Sequence, residues 1–230
     1  MKISLITPTY NESKNIEKLI LNIFKDCHNL DVELIIVDDN SPDGTAQIAE
    51  NLSKEYPLKV IKREGKFGLS SAVLDGFNAA DGNIFGVIDA DLSHPTSRIS
   101  ELLQPILDNE ADLVIGSRLI KDGSVEEWPF YRKLISIGAT TLARPLTKIK
   151  DSMSGFFFFK KEIIDNVKLN PIGYKILLEI LVKGNYKTVK EIPYIFLNRN
   201  VGESKLNLGE YLNYILHLKR LYTYKFIKRD

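Results

Sequence analysis

Two clusters of acids stand where short apolar runs end. Asp38-Asp39-Asn40-Ser41-Pro42-Asp43-Gly44 follows one run, and Asp89-Ala90-Asp91 follows another. Residues i and i+2 of an extended chain face the same side, so Asp89 and Asp91 can both point into one site. Two carboxylates held there repel unless a cation neutralises them. Hard oxygen ligands favour Mg2+ or Mn2+, typically shared with the phosphates of a substrate. Solvated loop aspartates are common, and a bare Asp-x-Asp carries little weight. It gains weight here because it closes an apolar strand beside a second strand that also ends in acids. His94 follows Asp91 by three residues. It reads either as a group near that metal or as a structural or solvent-facing residue.

Those acids need elements that place them. Ile3–Pro8 reads as a strand, and Ser13–Lys25 as a helix that Ser13 can cap. Glu33–Asp38 reads as a buried strand, with a helix from about Asp43. Strand Leu58–Lys62 and helix Leu69–Asn78 follow, then strand Ile84–Asp89 and a helix near Pro95. Asp112–Gly116 is the fifth strand. Such alternation predicts an α/β fold, with a mostly parallel central sheet flanked by helices. Ligands of such sheets bind at the carboxyl ends of the strands, where the acids lie.

The second half is less regular. Lys121–Pro129 reads as a polar loop and Phe130–Leu146 as a helix. Ser154–Lys160 holds four consecutive phenylalanines, Phe156–Phe159, which read as a buried strand with no ligand role. Gly173–Lys183 is helical and Thr188–Ile192 is a strand. Asn207–Arg229 spaces its apolar residues at nearly helical period. It is either a helix packed on the core or an amphipathic helix lying on an anionic membrane. The expected division is a catalytic domain, 1–206, and a C-terminal amphipathic helix, 207–230.

Composition narrows the classes. The chain has 230 residues, 44% hydrophobic and 27% charged. That is ordinary globular usage, not collagen-like, disordered or disulfide-scaffolded. A lone cysteine, Cys27, allows no internal disulfide and no cysteine cluster for zinc. The net charge of +1 argues against a nucleic-acid binder. It is unevenly spread. Residues 199–230 hold seven basic and three acidic residues, leaving a body of about −3 and a tail of about +4. No apolar run approaches the roughly 18 residues of a membrane span, and the N-terminus lacks a signal-peptide pattern. The expected location is peripheral, at the cytoplasmic face of a membrane.

Several nucleotide and hydrolase signatures are missing. There is no G-x-x-x-x-G-K-[ST] loop and no G-x-G-x-x-G after the first strand. That place reads Pro8-Thr9-Tyr10-Asn11-Glu12, with an aromatic that can stack on a base and an acid that can bond a base or ribose. Neither G-x-S-x-G nor H-E-x-x-H occurs.

The sequence resembles a known family. Thr7–Glu12 (TPTYNE), Val37–Thr45 (VDDNSPDGT) and Asp89–Pro95 (DADLSHP) are similar to family 2 glycosyltransferases of the GT-A fold. Gly116–Arg118, Gly123–Ser136, Asp151–Phe156 (DSMSGF) and Gly202–Asn207 (GESKLN) resemble its dolichyl-phosphate mannose synthase branch. The Q-x-x-R-W signature of processive synthases is absent. Many members carry membrane helices after the catalytic domain, and this sequence is expected to match either the helix-free members or a shortened form of a longer protein.

The resemblance implies roles. Pro8, Tyr10, Glu12, Val37 and Asp39 would line the nucleotide pocket. Asp89 and Asp91 would hold Mg2+ or Mn2+ against the diphosphate, with Ala90 backbone contacts. Ser93 stands where some relatives have Gln and would act through water. Arg118, Arg132, Lys175, Arg199 and Lys205 match basic positions that handle phosphate, Arg118 and Arg132 on the acceptor side. Asp91 and Arg118 are the residues expected to be catalytic. The implied reaction moves mannose from GDP-mannose to dolichyl or polyprenyl phosphate with inversion. Implied partners are the membrane surface and small membrane-anchoring subunits, with no nucleic acid. The alternatives are another donor, such as UDP-glucose, and a non-catalytic nucleotide-binding subunit.

Overall fold

The computed structural model describes residues 1–126, 130–197 and 208–227. The first half alternates strands β1 (Ile3–Thr9), β2 (Val32–Asp38), β3 (Leu58–Lys62) and β4 (Ile84–Val87) with helices α1 (Ile16–Asp26), α2 (Thr45–Leu52) and α3 (Leu69–Ala79). Helix α4 (Ile99–Leu107), led in by a single 3-10 turn, precedes β5 (Leu113–Ser117). Then come β6 (Ser124–Val125), α5 (Phe130–Ala143), β7 (Phe157–Lys160) and α6 (Ile176–Lys183). The described chain ends with β8 (Val189–Pro193), β9 (Ile195–Phe196) and α7 (Leu208–Phe226).

Seven strands form one sheet in the order β3-β2-β1-β4-β7-β5-β8. Neighbours are parallel except β7, which runs antiparallel to both β4 and β5. β6, inside what reads as a plain polar loop, pairs with β9 in a separate two-stranded ribbon. The central strands β1, β2, β4 and β5 are buried on both faces, which is why they are largely apolar runs, whereas the edge strands β3 and β8 alternate with charged residues. The four phenylalanines show the two-sided burial. Phe156 and Phe158 enter the core layer with α1 and α4, while Phe157 and Phe159 enter the layer with α3 and α6. All four are fully buried, as expected of core residues.

Most element boundaries shift by one to a few residues from the sequence reading, and two of the shifts have clear local reasons. Ser13 does not cap α1. Its backbone N–H donates to Asp43 Oδ2, 3.0 Å away, and the helix begins after Asn15. Helix α6 begins at Ile176, not Gly173, because Gly173 takes a left-handed φ of 72° and Lys175 stands at the N-cap. Strand β7 starts one residue after Phe156.

Helix α7 packs on the body. Tyr214, Leu218 and Leu221 join Ala143, Leu146 and Leu178 in a third apolar cluster. Tyr214 Oη donates to the Ala139 carbonyl at 2.6 Å, and Tyr222 Oη to the Leu142 carbonyl at 2.8 Å. No helix among the described residues is long and apolar enough to cross a membrane.

Candidate active site

Strand order reverses at β1. The chain steps outward through β2 and β3, then returns to the other side of β1 with β4. Ligands of open α/β sheets bind at such a switch point, beyond the carboxyl ends of the strands. A cavity of about 440 Å³ opens there. It brings together Pro8, Glu12, Asp89, Ala90, Asp91, Arg118 and Lys175, residues far apart in the chain.

The carboxylates are held from behind. Ser93 is fully buried, and its hydroxyl and backbone N–H both donate to Asp91 Oδ1. Ser93 thus orients Asp91 and does not line the cavity. Asp89 Oδ2 lies 3.2 Å from His94 Nε2, and His94 Nδ1 lies 2.9 Å from Tyr194 Oη. Gly155 backs onto the same carboxylate. A Cβ there would stand 2.6 Å from Asp89 Oδ2.

Arg118 brings the positive charge. Its guanidinium makes two parallel bonds to Asp151, Nε to Oδ2 and Nη2 to Oδ1, each 2.8 Å. Burial opposes the Arg118 charge, but the Asp151 carboxylate overrides it and holds the guanidinium above its ordinary pKa. The same pair drives Asp151 below the usual carboxylate range against its own burial. Arg118 also lies over the Phe196 ring, 5.3 Å from its centroid. Lys175 is lowered from the usual lysine range, first by desolvation and next by the Arg118 charge. The carboxylates of Asp89, Asp151 and Glu210 pull it back upward.

The residues expected around the nucleotide divide. Pro8 and Glu12 line the cavity, whereas Tyr10, Val37 and Asp39 lie outside its lining. Val37 is fully buried in the core. Asp39 Oδ1 accepts from Arg63 Nη1 at 2.5 Å and Oδ2 from the Gly68 N–H at 2.7 Å. The Lys66 ammonium sits over the Tyr10 ring, 3.9 Å from its centroid. The segment from Arg63 to Gly68 is therefore pinned onto the carboxyl ends of β1 and β2. Arg199 and Lys205 lie outside the described residues, as does Trp128. The side chain of Arg132 is likewise not described.

Sequence reasoning missed Arg63, Asp151 and the tail's part in the cavity wall. Glu210, Tyr211 and Tyr214 of α7 line the cavity. Glu210 hydrogen-bonds Tyr174, whose phenol is raised first by burial and then by that carboxylate. Deeper on α7, fully buried His217 places Nε2 2.9 Å from Glu179 Oε2 of α6. Only the motif DSMSGF marked Asp151, and nothing in it named Arg118 as the partner.

The donor set suits a divalent cation shared with a ligand. No group of three or more His, Cys, Asp or Glu side chains encloses a metal among the described residues. Two hard carboxylates at one strand end, with phosphate oxygens completing the shell, match Mg2+ or Mn2+ and not a closed zinc site.

Comparisons with known proteins agree with this geometry. Residues 4–168 match the family described as Glycosyl transferase family 2. A dolichol-phosphate mannosyltransferase of Pyrococcus furiosus is 50% identical over 225 residues, covering 96% of this chain and 64% of that protein. One of Saccharomyces cerevisiae is 37% identical over 236 residues, covering 97% of this chain and 88% of that protein. Glucosyl-3-phosphoglycerate synthase of Mycobacterium tuberculosis, solved with Mn2+, uridine-diphosphate-glucose and phosphoglyceric acid, superposes with a TM-score of 0.70. It is 19% identical and covers 97% of this chain and 79% of that one. At that identity the likeness shows the fold alone, and the fold is the α/β arrangement expected. A family match that runs from β1 past β7, joined to a half-identical relative along nearly the whole chain, shows that this protein belongs to glycosyl transferase family 2.

Proposed function

We propose that this chain moves mannose from GDP-mannose to dolichyl or polyprenyl phosphate, with inversion, at the cytoplasmic surface of a membrane. The observation that carries the reading is the cavity itself. It gathers two carboxylates, Asp89 and Asp91, with two cations, Arg118 and Lys175, at the switch point of the sheet. The relatives' printed names supply the sugar and the lipid.

Asp89 and Asp91 would hold Mg2+ or Mn2+. When bound, the metal neutralises charge on the departing diphosphate. Ser93 keeps Asp91 aimed. Pro8, Glu12 and Tyr10, with Asp39 behind them, would receive the nucleoside. Arg118 and Lys175 would draw the acceptor phosphate, joined by Arg132, Arg199 and Lys205. A phosphate monoester has a second pKa near 6 and is largely dianionic at neutral pH. It needs no strong general base. One phosphate oxygen bonds to the anomeric carbon as the bond to the diphosphate breaks, so an α-linked donor yields a β-linked product. Asp151 absorbs part of the Arg118 charge, which keeps that cation from gripping either anion too tightly to release it.

The membrane reading rests on the far face of α7. Leu212, Ile215 and Leu216 are exposed there, as are Lys219 and Arg220, and Ile137 and Leu142 of α5 are exposed too. Apolar groups flanked by cations suit an anionic bilayer surface.

The test incubates the protein with Mn2+, polyprenyl phosphate and either GDP-mannose or UDP-glucose. Mannose on the lipid phosphate, with little glucose, supports the reading. Transfer from UDP-glucose alone replaces the donor, and transfer from neither rejects the enzyme.

A further inference from the structure

We infer that His94 and Tyr194 are positioning residues that hold the Asp89 carboxylate in its metal-binding orientation, and that the segment carrying Tyr194 aims Arg118 as well. The inference rests on the metal reading above and concerns how this chain's own residues build that site.

The connection is continuous and buried. His94 and Tyr194 are each about 2% exposed. Asp89 Oδ2, His94 Nε2, His94 Nδ1 and Tyr194 Oη follow one another at 3.2 and 2.9 Å. The Tyr194 hydroxyl also meets the Ser154 hydroxyl. Burial pushes the Tyr194 phenol upward, so it keeps its proton. When the phenol donates to Nδ1, the ring carries its proton on Nε2, facing Asp89, and one oxygen of the carboxylate is fixed.

The imidazole has no freedom to turn. It stacks on Phe156 at 5.3 Å and 28°, and meets Phe196 edge-on at 5.4 Å. The Tyr194 ring lies 5.5 Å away. One main-chain bond and one side-chain bond clamp the two segments together. Leu197 N–H donates to the Ser93 carbonyl at 3.0 Å, and Arg98 Nη2 donates to the Pro193 carbonyl at 2.8 Å.

The same short segment reaches the opposite charge. Phe196 carries the Arg118 guanidinium on its ring. Residues 194–196 therefore touch the carboxylate side through His94 and the cation side directly. Partners behind ligating groups commonly set their orientation, and removing them weakens metal binding roughly 10- to 100-fold.

The test measures binding, not turnover. Mn2+ is titrated, alone and with GDP, into wild type, Tyr194→Phe, His94→Gln and His94→Ala, and free Mn2+ is read by its paramagnetic resonance signal against a protein-free control. GDP binding is measured in parallel with excess chelator. Tyr194→Phe keeps the ring and loses only the hydroxyl, while His94→Gln keeps a donor near the Nε2 position. Tyr194→Phe is expected to weaken Mn2+ about tenfold and to leave metal-free GDP binding within about twofold. His94→Gln should retain more Mn2+ affinity than His94→Ala. Wild-type Mn2+ affinity in Tyr194→Phe and His94→Ala overturns the inference and leaves the metal reading intact. A parallel loss of metal-free GDP binding also overturns it, since that marks general damage. Wild type that binds Mn2+ neither alone nor with GDP overturns both.

Discussion

Asp151 reaches Arg118 three times. It accepts from Nε and Nη2 of the guanidinium and, 2.9 Å away, from the Arg118 backbone N–H. The pair fixes both the side chain and the chain direction at the end of β5. Both side chains are desolvated, 11% and 1% exposed. Such a pair adds little over an apolar substitute, but breaking it strands a charge.

Asp151→Ala should therefore destabilise the fold by about 3–5 kcal/mol, read by urea unfolding. A loss below about 1 kcal/mol would show that Arg118 finds water or another acid. Arg118→Lys keeps the charge but not the fork, and should lower kcat/KM more than stability.

Gly155→Ala puts a methyl group where Asp89 Oδ2 sits, 2.6 Å from the new Cβ. The carboxylate must move by more than a few tenths of an ångström. Displacements of about 1 Å at a reacting centre cost on the order of 100-fold in rate. We expect a loss of that size with near-normal melting. Wild-type turnover would mean that Asp89 need not stay in place.

Much of the architecture was readable because hydrophobic runs have a period and a length. β3 was placed to the residue, and the acids that follow β4 stood where the cavity opens, whereas those after β2 lie outside its lining. What stayed hidden was long-range pairing. Asp39 with Arg63, and Arg118 with Asp151, are 24 and 33 residues apart, and no spacing rule links them. The start of α1 was misjudged because Ser13 turns to Asp43 with its hydroxyl as well as its N–H, a tertiary contact that outranks local capping preference. The direction of β7 was also out of reach, since a four-residue apolar strand reads alike both ways.

Glu179 predicts a pH dependence of stability. Burial works against its charge, but bonds from His217, Lys183 and the Asn170 N–H hold its pKa at about 2. A depressed carboxyl pKa adds stability above the unfolded value near 4.5, which is lost as pH falls toward 2. The contribution is on the order of 2–3 kcal/mol. Unfolding free energies of wild type and Glu179→Gln should differ most above pH 5 and converge toward pH 2. A gap that does not change with pH would reject this assignment.

Deleting residues 207–230 should do more than loosen membrane contact. It removes Glu210, Tyr211 and Tyr214 from the cavity wall and uncovers Leu178 and Leu146. We expect a lower melting temperature and lost GDP binding even without lipid. Leu212→Glu with Ile215→Glu alters only exposed positions. That variant should keep GDP binding and lose affinity for anionic vesicles. Equal vesicle binding would separate α7 from the membrane.

The antiparallel placement of β7 bears on how the chain folds. β3, β2, β1 and β4 are contributed by the first 87 residues through successive local crossovers. β5 and β8 join that half of the sheet only through β7, whose residues pair with β4 across 70 or more positions of chain. The first half can condense during synthesis, while the seam must wait until the phenylalanines emerge and slot between β4 and β5. Phe158 in that seam should thus leave early folding rates unchanged when truncated and hasten unfolding, since its contacts form last. Asp89 and Asp91 sit just beyond the seam, so the carboxylates take their final places only when the last strand closes.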